Sequence, residues 1–210
     1  MREIAQFISG FKRFRQHYFD PKNERFASLK KGQNPKVLVI GCSDSRVDPA
    51  ILTGCGPGEL FVIRNVANLV PPCEYDVHHH GVSAALEYAV CHLEVEHIII
   101  LGHSGCGGIG ALMHGIDNGR PTEFIGPWVQ IAERARERVL KELPEKDPAM
   151  QSRACEQAAI LVSLENLLTF PWISERVESG SLLLHGWYFD IGAGQLCSYI
   201  PEKAGFELLE

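Results

Sequence analysis

The stretch Val37-Leu38-Val39-Ile40-Gly41 is short, rich in β-branched residues and closed by a glycine, and Cys42-Ser43-Asp44-Ser45-Arg46 follows it directly. An apolar run without polar alternation reads as a strand buried on both faces, as in a parallel sheet. Residues 60–63 and 97–101 have the same character, and an alanine-rich helical segment at 82–93 lies between them. Strands separated by helices point to an α/β fold with a mainly parallel central sheet flanked by helices. Further on, residues 128–142 read as a charged helix ended by Leu143-Pro144. Asp147 caps and Pro148 opens a second helix running to about residue 168. Residues 170–178 read as a shorter helix stopped by Gly180. Residues 182–190 and 195–200 then form an antiparallel C-terminal hairpin around Gly192-Ala193-Gly194.

Upstream of the first strand, Ile4, Phe7, Ile8, Phe11 and Phe14 are spaced as one face of a helix, which Asp20-Pro21 breaks before the loop at residues 31–35. The expectation is one domain over residues 1–210, with residues 1–32 a helical arm whose apolar face packs on a second subunit. A length of 210 residues, 45% hydrophobic and 22% charged, suits a single folded domain. A net charge of −6 leaves no basic field for a phosphate backbone, so nucleic acid is not an expected partner. The apolar runs are far shorter than the roughly 20 residues of a membrane span, and the N-terminus carries no apolar signal core, so no membrane association and a cytoplasmic location are expected. The seven cysteines (42, 55, 73, 91, 106, 155 and 197) are odd in number and scattered, a poor disulfide framework and a better match to reduced thiols, some of them ligands.

The chemistry concentrates after two of the strands. Cys42-Ser43-Asp44-Ser45-Arg46 follows the first, and Gly102-His103-Ser104-Gly105-Cys106-Gly107-Gly108 follows the one at 97–101. Both segments emerge at the carboxyl ends of parallel strands, where ligands bind in open α/β sheets. Two thiols and an imidazole can therefore converge, with Gly102, Gly105, Gly107 and Gly108 letting the chain bend. Soft sulfur and imidazole donors suit tetrahedral Zn²⁺, and three protein ligands leave the fourth corner open, as in a catalytic site. A fourth thiol could close it, and the candidates are Cys55 or Cys73, neither of which reads as sitting at a strand end beside the others. Asp44 and Arg46, on alternate residues of a short extended segment, can form a bidentate pair. Held by Arg46, Asp44 would accept a hydrogen bond from hydroxide on the metal; released, it could become a fourth ligand. Two thiolates donate charge, so water on this metal should be acidified less than at an all-histidine site, and activity should rise above pH 7.

Cys42-Ser43-Asp44-Ser45-Arg46, Arg64-Asn65-Val66-Ala67-Asn68 and His103-Ser104-Gly105-Cys106-Gly107-Gly108 resemble the signatures of the β-class carbonic anhydrases, and Leu184-His185-Gly186-Trp187 resembles a further segment of that family. The resemblance implies reversible hydration of carbon dioxide to bicarbonate on a homodimer or a dimer of dimers, with one zinc per chain. It implies Cys42, His103 and Cys106 as metal ligands and Asp44 with Arg46 as the catalytic dyad. Gln33, Phe61, Val66, Tyr88 and Gly107 match positions lining the family's substrate pocket, with Phe61 and Tyr88 supplied across the dimer interface. A bacterial subset also has an inhibitory bicarbonate site built from a tryptophan, an arginine and a tyrosine. Arg64 matches here, but Val39 and Phe189 stand at the other two positions without a polar donor.

Three other readings use the same residues. Carbon disulfide or carbonyl sulfide could be the triatomic substrate, with pocket access deciding. A zinc nucleoside deaminase would need Pro-Cys-x-x-Cys, which the chain lacks. A purely structural zinc would need a fourth protein ligand. His78-His79-His80 reads as a surface cluster preceding a helix rather than as a proton relay.

Overall fold

Four of the apolar runs stand side by side as parallel strands. The computed structural model describes residues 2–20, 25–76, 78–116 and 123–209. The chain divides into two units, residues 1–34 and 35–210. In the larger one, β1 (Val37–Cys42), β2 (Leu60–Asn65), β3 (His97–His103) and β4 (Leu183–Asp190) are parallel, and β5 (Gln195–Ile200) and β6 (Gly205–Leu208) follow antiparallel in the order β2-β1-β3-β4-β5-β6. The register sets Gly41 of β1 beside Arg64 of β2 and Leu101 of β3. The sequences that follow β1 and β3 therefore leave neighbouring strands at the same edge.

Alternation within β1 and β3 divides the core between the two faces. Leu38, Ile40, Ile98 and Ile100 point one way, into a cluster with Leu86, Val90, Ile160, Leu167 and Ile173. Those partners come from α4 (Gly81–Glu87, whose chain continues through a widened turn to His92), the long α8 (Pro148–Leu167) and α9 (Pro171–Glu178). Val39, Ile99 and Leu101 point the other way, with Val47, Leu52, Trp187 and Phe189. Leu52 lies in α3 (Pro49–Thr53), a five-residue helix capped by Asp48, whose carboxylate accepts from the N–H groups of Ala50 and Ile51. A third cluster gathers α5 (Gly107–His114), α6 (Ile125–Val129) and α7 (Glu133–Glu142) against α8, and contains both Cys42 and Cys106. The segments that carry these two cysteines are thus part of a packed core.

Several elements, α5 among them, differ from the sequence expectation. The charged segment at 128–142 is two helices joined by a tight turn at Gln130–Ala132. Strand β6 was not expected: it is four residues long, and Phe206 fixes it by packing on Tyr188 and Tyr199 at centroid distances of 6.1 and 5.4 Å. The short helix α3 was not expected either, although Asp48-Pro49 carries its start signal. Among the described residues, no helix is long and apolar enough to cross a membrane.

In the N-terminal unit, Arg2–Tyr18 forms α1 and Arg25–Leu29 forms α2. Phe14, Phe19 and Phe26 make a small aromatic cluster, Phe14 edge-on to Phe26 at 5.7 Å and Phe19 stacked on Phe26 at 4.7 Å. Ile4, Phe7, Ile8 and Phe11 on α1 stay more than half exposed.

Candidate metal centre

Strand β1 delivers Cys42 as its last residue, β3 delivers His103 as its last, and Cys106 precedes α5. All three side chains are buried, and their sulfur and ring-nitrogen atoms lie within 4.8 Å of one another. The two sulfurs are 3.9 Å apart. Among the described residues this is the one group of three or more such donors close enough to share an ion, and neither Cys55 nor Cys73 belongs to it.

The donors fit zinc. With Zn–S near 2.3 Å, two thiolates on a tetrahedral ion sit about 3.8 Å apart, matching the observed separation. His103 Nδ1 lies 3.0 Å from the Ser104 carbonyl, so the ring hydrogen belongs on Nδ1 and the lone pair on Nε2. Nε2 is buried and, among the described residues, has no hydrogen-bond partner. A buried polar atom left unpaired is costly unless something binds it, and this one faces two sulfurs. Electrostatics agree. The hydrogen bond from Cys106 pulls the Cys42 thiol down to about 4, helped by His103 and by backbone N–H groups of Asp44 and Ala67 against the opposing effect of burial. Sharing that hydrogen bond, with burial and the Cys42 charge, pushes Cys106 up. One negative charge therefore settles easily on the pair and the second waits for a cation.

Asp44 and Arg46 are brought to the same place, in a turn rather than the extended segment expected. Val47 N–H donates to the Asp44 carbonyl at 3.2 Å, and Arg46 N–H donates to Asp44 Oδ1 at 2.9 Å. The guanidinium completes a fork, Nε to Oδ1 at 2.9 Å and Nη2 to Oδ2 at 2.7 Å. Those hydrogen bonds hold the Asp44 carboxyl well below the usual carboxylate range. Arg64 braces the turn from β2: Nε donates to the Cys42 carbonyl, Nη2 to the carbonyls of Asp44 and Val47, and Nη1 pairs with Asp48. Val39 and Phe189 meet in the apolar cluster on the sheet face that carries Val47.

Of the remaining candidates, Gly107 opens α5 beside Cys106, and Val66 packs against the cluster that contains both sulfurs. The Val66 carbonyl accepts from Trp128 Nε1 at 2.7 Å. Phe61 and Tyr88 pair with each other at 5.9 Å. Phe61 lies four residues, about 13 Å, back along β2 from the end that adjoins Cys42, so this pair is not brought to the donors of its own chain. Gln33 belongs to the N-terminal unit. His80 pairs with Asp76 at 2.6 Å, and the same carboxylate accepts the His78 N–H, which accounts for that cluster locally.

Of the four glycines expected to bend the chain, only Gly105 is left-handed, at φ 66°. Gly108 serves close packing instead, since a Cβ there would lie 2.6 Å from Val66 Cγ1 and 2.9 Å from Ala67 Cβ. A Cβ on Gly107 would meet nothing within 4 Å.

Sequence reading missed Glu156. It sits on α8 with only 6% of its surface exposed, and accepts from Cys106 N–H at 3.0 Å and from the Tyr188 hydroxyl at 2.8 Å. The available signal was a lone carboxylate on a helix face whose other buried residues, Cys155, Ala159, Ile160, Val162, Ser163, Asn166 and Leu167, carry no charge.

Comparison with known proteins agrees with this site. Residues 37–196 match the family model described as carbonic anhydrase. Beta carbonic anhydrase 3 of Arabidopsis thaliana is 42% identical over 194 residues, covering 91% of this chain and 74% of the plant protein. Among solved structures, the β-carbonic anhydrase CcaA superposes with a TM-score of 0.92 at 35% identity, covering 100% of this chain and 93% of that one. Two β-carbonic anhydrases of Sordaria macrospora, described as tetrameric, are represented by a chain matching at 0.82 and 31% identity, with 94% and 97% covered. The β class comprises zinc enzymes that hydrate carbon dioxide, and the Cys42–His103–Cys106 group supplies the donors such an ion needs. With matching strands, matching order and matching sequence over most of its length, this chain belongs to the β-class carbonic anhydrases, carbonate dehydratases of the lyase class.

Proposed function

We propose that the chain interconverts carbon dioxide and bicarbonate with one zinc ion held by Cys42, His103 and Cys106, and with Asp44 and Arg46 as the catalytic dyad. The observation that carries this is the buried, unpartnered Nε2 of His103 facing two sulfurs 3.9 Å apart. Zinc bound there supplies the Lewis acidity that makes water a nucleophile near neutral pH. Asp44 is held ionised and so can only accept a hydrogen bond. Its Oδ2 lies 3.9 Å from His103 Nε2, beside the donors yet kept from joining them by Arg46. A carboxylate so placed accepts an O–H of the attacking water and aims its lone pair at the carbon.

Carbon dioxide is small and apolar, so Val66 can form one wall of its pocket without a charged anchor. The Gly107 N–H, at the start of α5 where the first amides have no partner within the helix, would donate to a substrate oxygen. Gln33 would donate likewise, and Phe61 and Tyr88 would line the pocket of a second copy. The tetrameric Sordaria relatives and the exposed Ile4, Phe7, Ile8 and Phe11 of α1 support an oligomer in which residues 1–32 of a single-domain chain pack on another subunit. The seven free thiols suit a reducing compartment, and we place the enzyme in the cytoplasm on that ground.

Two variants separate the roles. Cys42→Ala should lose zinc and hydration together. Asp44→Ala should keep zinc while losing roughly a hundredfold or more of turnover at neutral pH, the scale of one positioned acid–base group. A fully active Asp44→Ala enzyme would remove the dyad from the mechanism.

A further inference from the structure

The peptide unit joining Gly105 to Cys106 is gripped at both ends. Its carbonyl oxygen, on Gly105, accepts a 3.0 Å hydrogen bond from Arg46 Nη2, the same nitrogen that bonds Asp44 Oδ2. Its N–H, on Cys106, donates to Glu156 Oε1 at 3.0 Å. A peptide unit is planar, so the carbonyl cannot turn without the N–H turning too. Whatever fixes the N–H therefore also fixes the anchor of Arg46.

Glu156 is built to do this. Its carboxylate is buried, and its second oxygen accepts from Tyr188, whose side chain is fully buried. Arg153, one helical turn earlier on α8, pairs with Asp190 at 2.8 Å and lies over the Tyr188 ring at 5.6 Å, which closes the frame from behind. The other side of the peptide is soft. Gly105 has no Cβ to resist rotation of its ψ, whereas Cys106 at φ −69° resists being carried to positive φ, so the backbone leaves free a rocking of the plane rather than a full flip. Flipping would turn the Gly105 carbonyl toward the Glu156 carboxylate and the Cys106 N–H toward the Arg46 guanidinium. Two acceptors would then face each other on one side and two donors on the other.

We infer that Glu156 is a positioning residue that locks the Gly105–Cys106 peptide, and through that one plane fixes both the placement of Cys106 and the Arg46 anchor that keeps Asp44 turned from the metal. The inference rests on the proposed roles of Cys106 as ligand and of Asp44 with Arg46 as dyad.

Two conservative variants test it on the holoenzyme. Glu156→Gln keeps an oxygen for the Cys106 N–H, and its amide can donate to the Tyr188 oxygen. Glu156→Asp keeps the charge but is one methylene too short to hold both partners. Zinc retention against a chelator should fall about 10–100-fold in Glu156→Asp, the usual scale for a residue supporting a metal ligand, and stay within about 3-fold of the parent in Glu156→Gln. The sulfur-to-metal bands of the cobalt-substituted protein should move in the first and not in the second. In zinc-saturated enzyme Glu156→Asp should lower kcat/KM about tenfold, but by less than about 3-fold when Arg46→Ala is already present, because the anchor it protects is gone. Equal losses in the two backgrounds would overturn the inference, as would an unchanged cobalt spectrum in Glu156→Asp or a Glu156→Gln variant damaged as badly as Glu156→Asp. A parent that binds no zinc would instead overturn the reading beneath it.

Discussion

Oδ2 of Asp44 stands 3.9 Å from Nε2 of His103, close enough to feel the ring and too far to hydrogen-bond it. Arg46 holds that oxygen at 2.7 Å, and the Gly105 carbonyl holds Arg46 at 3.0 Å. The carboxylate is therefore parked beside the donor set by a chain of contacts running back to the loop that carries Cys106. A free carboxylate at that distance could swing in and serve as a fourth ligand. In this structure Arg46 holds both of its oxygens, leaving one lone pair of Oδ2 free to accept from water.

The first prediction concerns pH. An Asp whose folded pKa is depressed keeps its charge at and above the ordinary carboxylate range, and loses it only as pH falls through the lowered value. Asp44 should thus stay ionised throughout pH 5 to 9 and contribute no limb to the activity profile there. Carboxyl-carbon NMR of the folded protein should show its midpoint below the reference 3.8, and Arg46→Ala should move it upward. A midpoint at or above 3.8 in the parent contradicts the dyad geometry.

Bicarbonate should not inhibit through Arg64. Three backbone carbonyls and Asp48 already occupy its Nε, Nη1 and Nη2 atoms, and Val39 and Phe189 offer no polar donor beside it. Initial rates against bicarbonate near neutral pH should follow a simple hyperbolic law. Sigmoidal inhibition that Arg64→Ala abolishes would show that a regulatory site exists after all.

Glycine substitutions should separate two neighbours. Gly108→Ala drives a methyl into Val66 and Ala67, an overpacking that should cost about 1–3 kcal/mol in denaturant unfolding. Gly107→Ala has open space and keeps its N–H, so it should fall within about 0.5 kcal/mol of the parent. Equal losses would mean that the tight contact at Gly108 does not exist in solution.

Much of this was legible in the sequence because the strands and their following segments are continuous. Residues 37–46 carry a buried strand, one proposed ligand and the proposed dyad in one run, and residues 97–108 carry a second strand and two proposed ligands. Parallel pairing with matched register then brings Cys42 and His103 together, as strand-end logic requires. What could not be read depends on contacts between distant segments. Glu156 meets Cys106 across 50 residues, and nothing in the spacing of α8 says which buried atom it serves. Arg64 was visible as a matched position, but its four bonds to the Cys42–Asp48 turn were not. The turn at Asp44–Val47 was misread as extended because short polar segments carry no periodicity. Strand β6 was missed for a similar reason, since four residues held by one phenylalanine are too few to make a pattern.

The α1 face offers an assembly test. Phe7→Glu with Phe11→Glu should lower the solution mass measured by light scattering, with helical content unchanged. An unaltered mass would assign that apolar face another role.

The central claim is that hydration depends on one ion held by Cys42, His103 and Cys106. Stopped-flow hydration during stepwise zinc addition to metal-stripped enzyme tests it most directly. Activity should rise linearly and break at one equivalent per chain. Full activity before any zinc is added, or no activity with the site filled, would contradict the account.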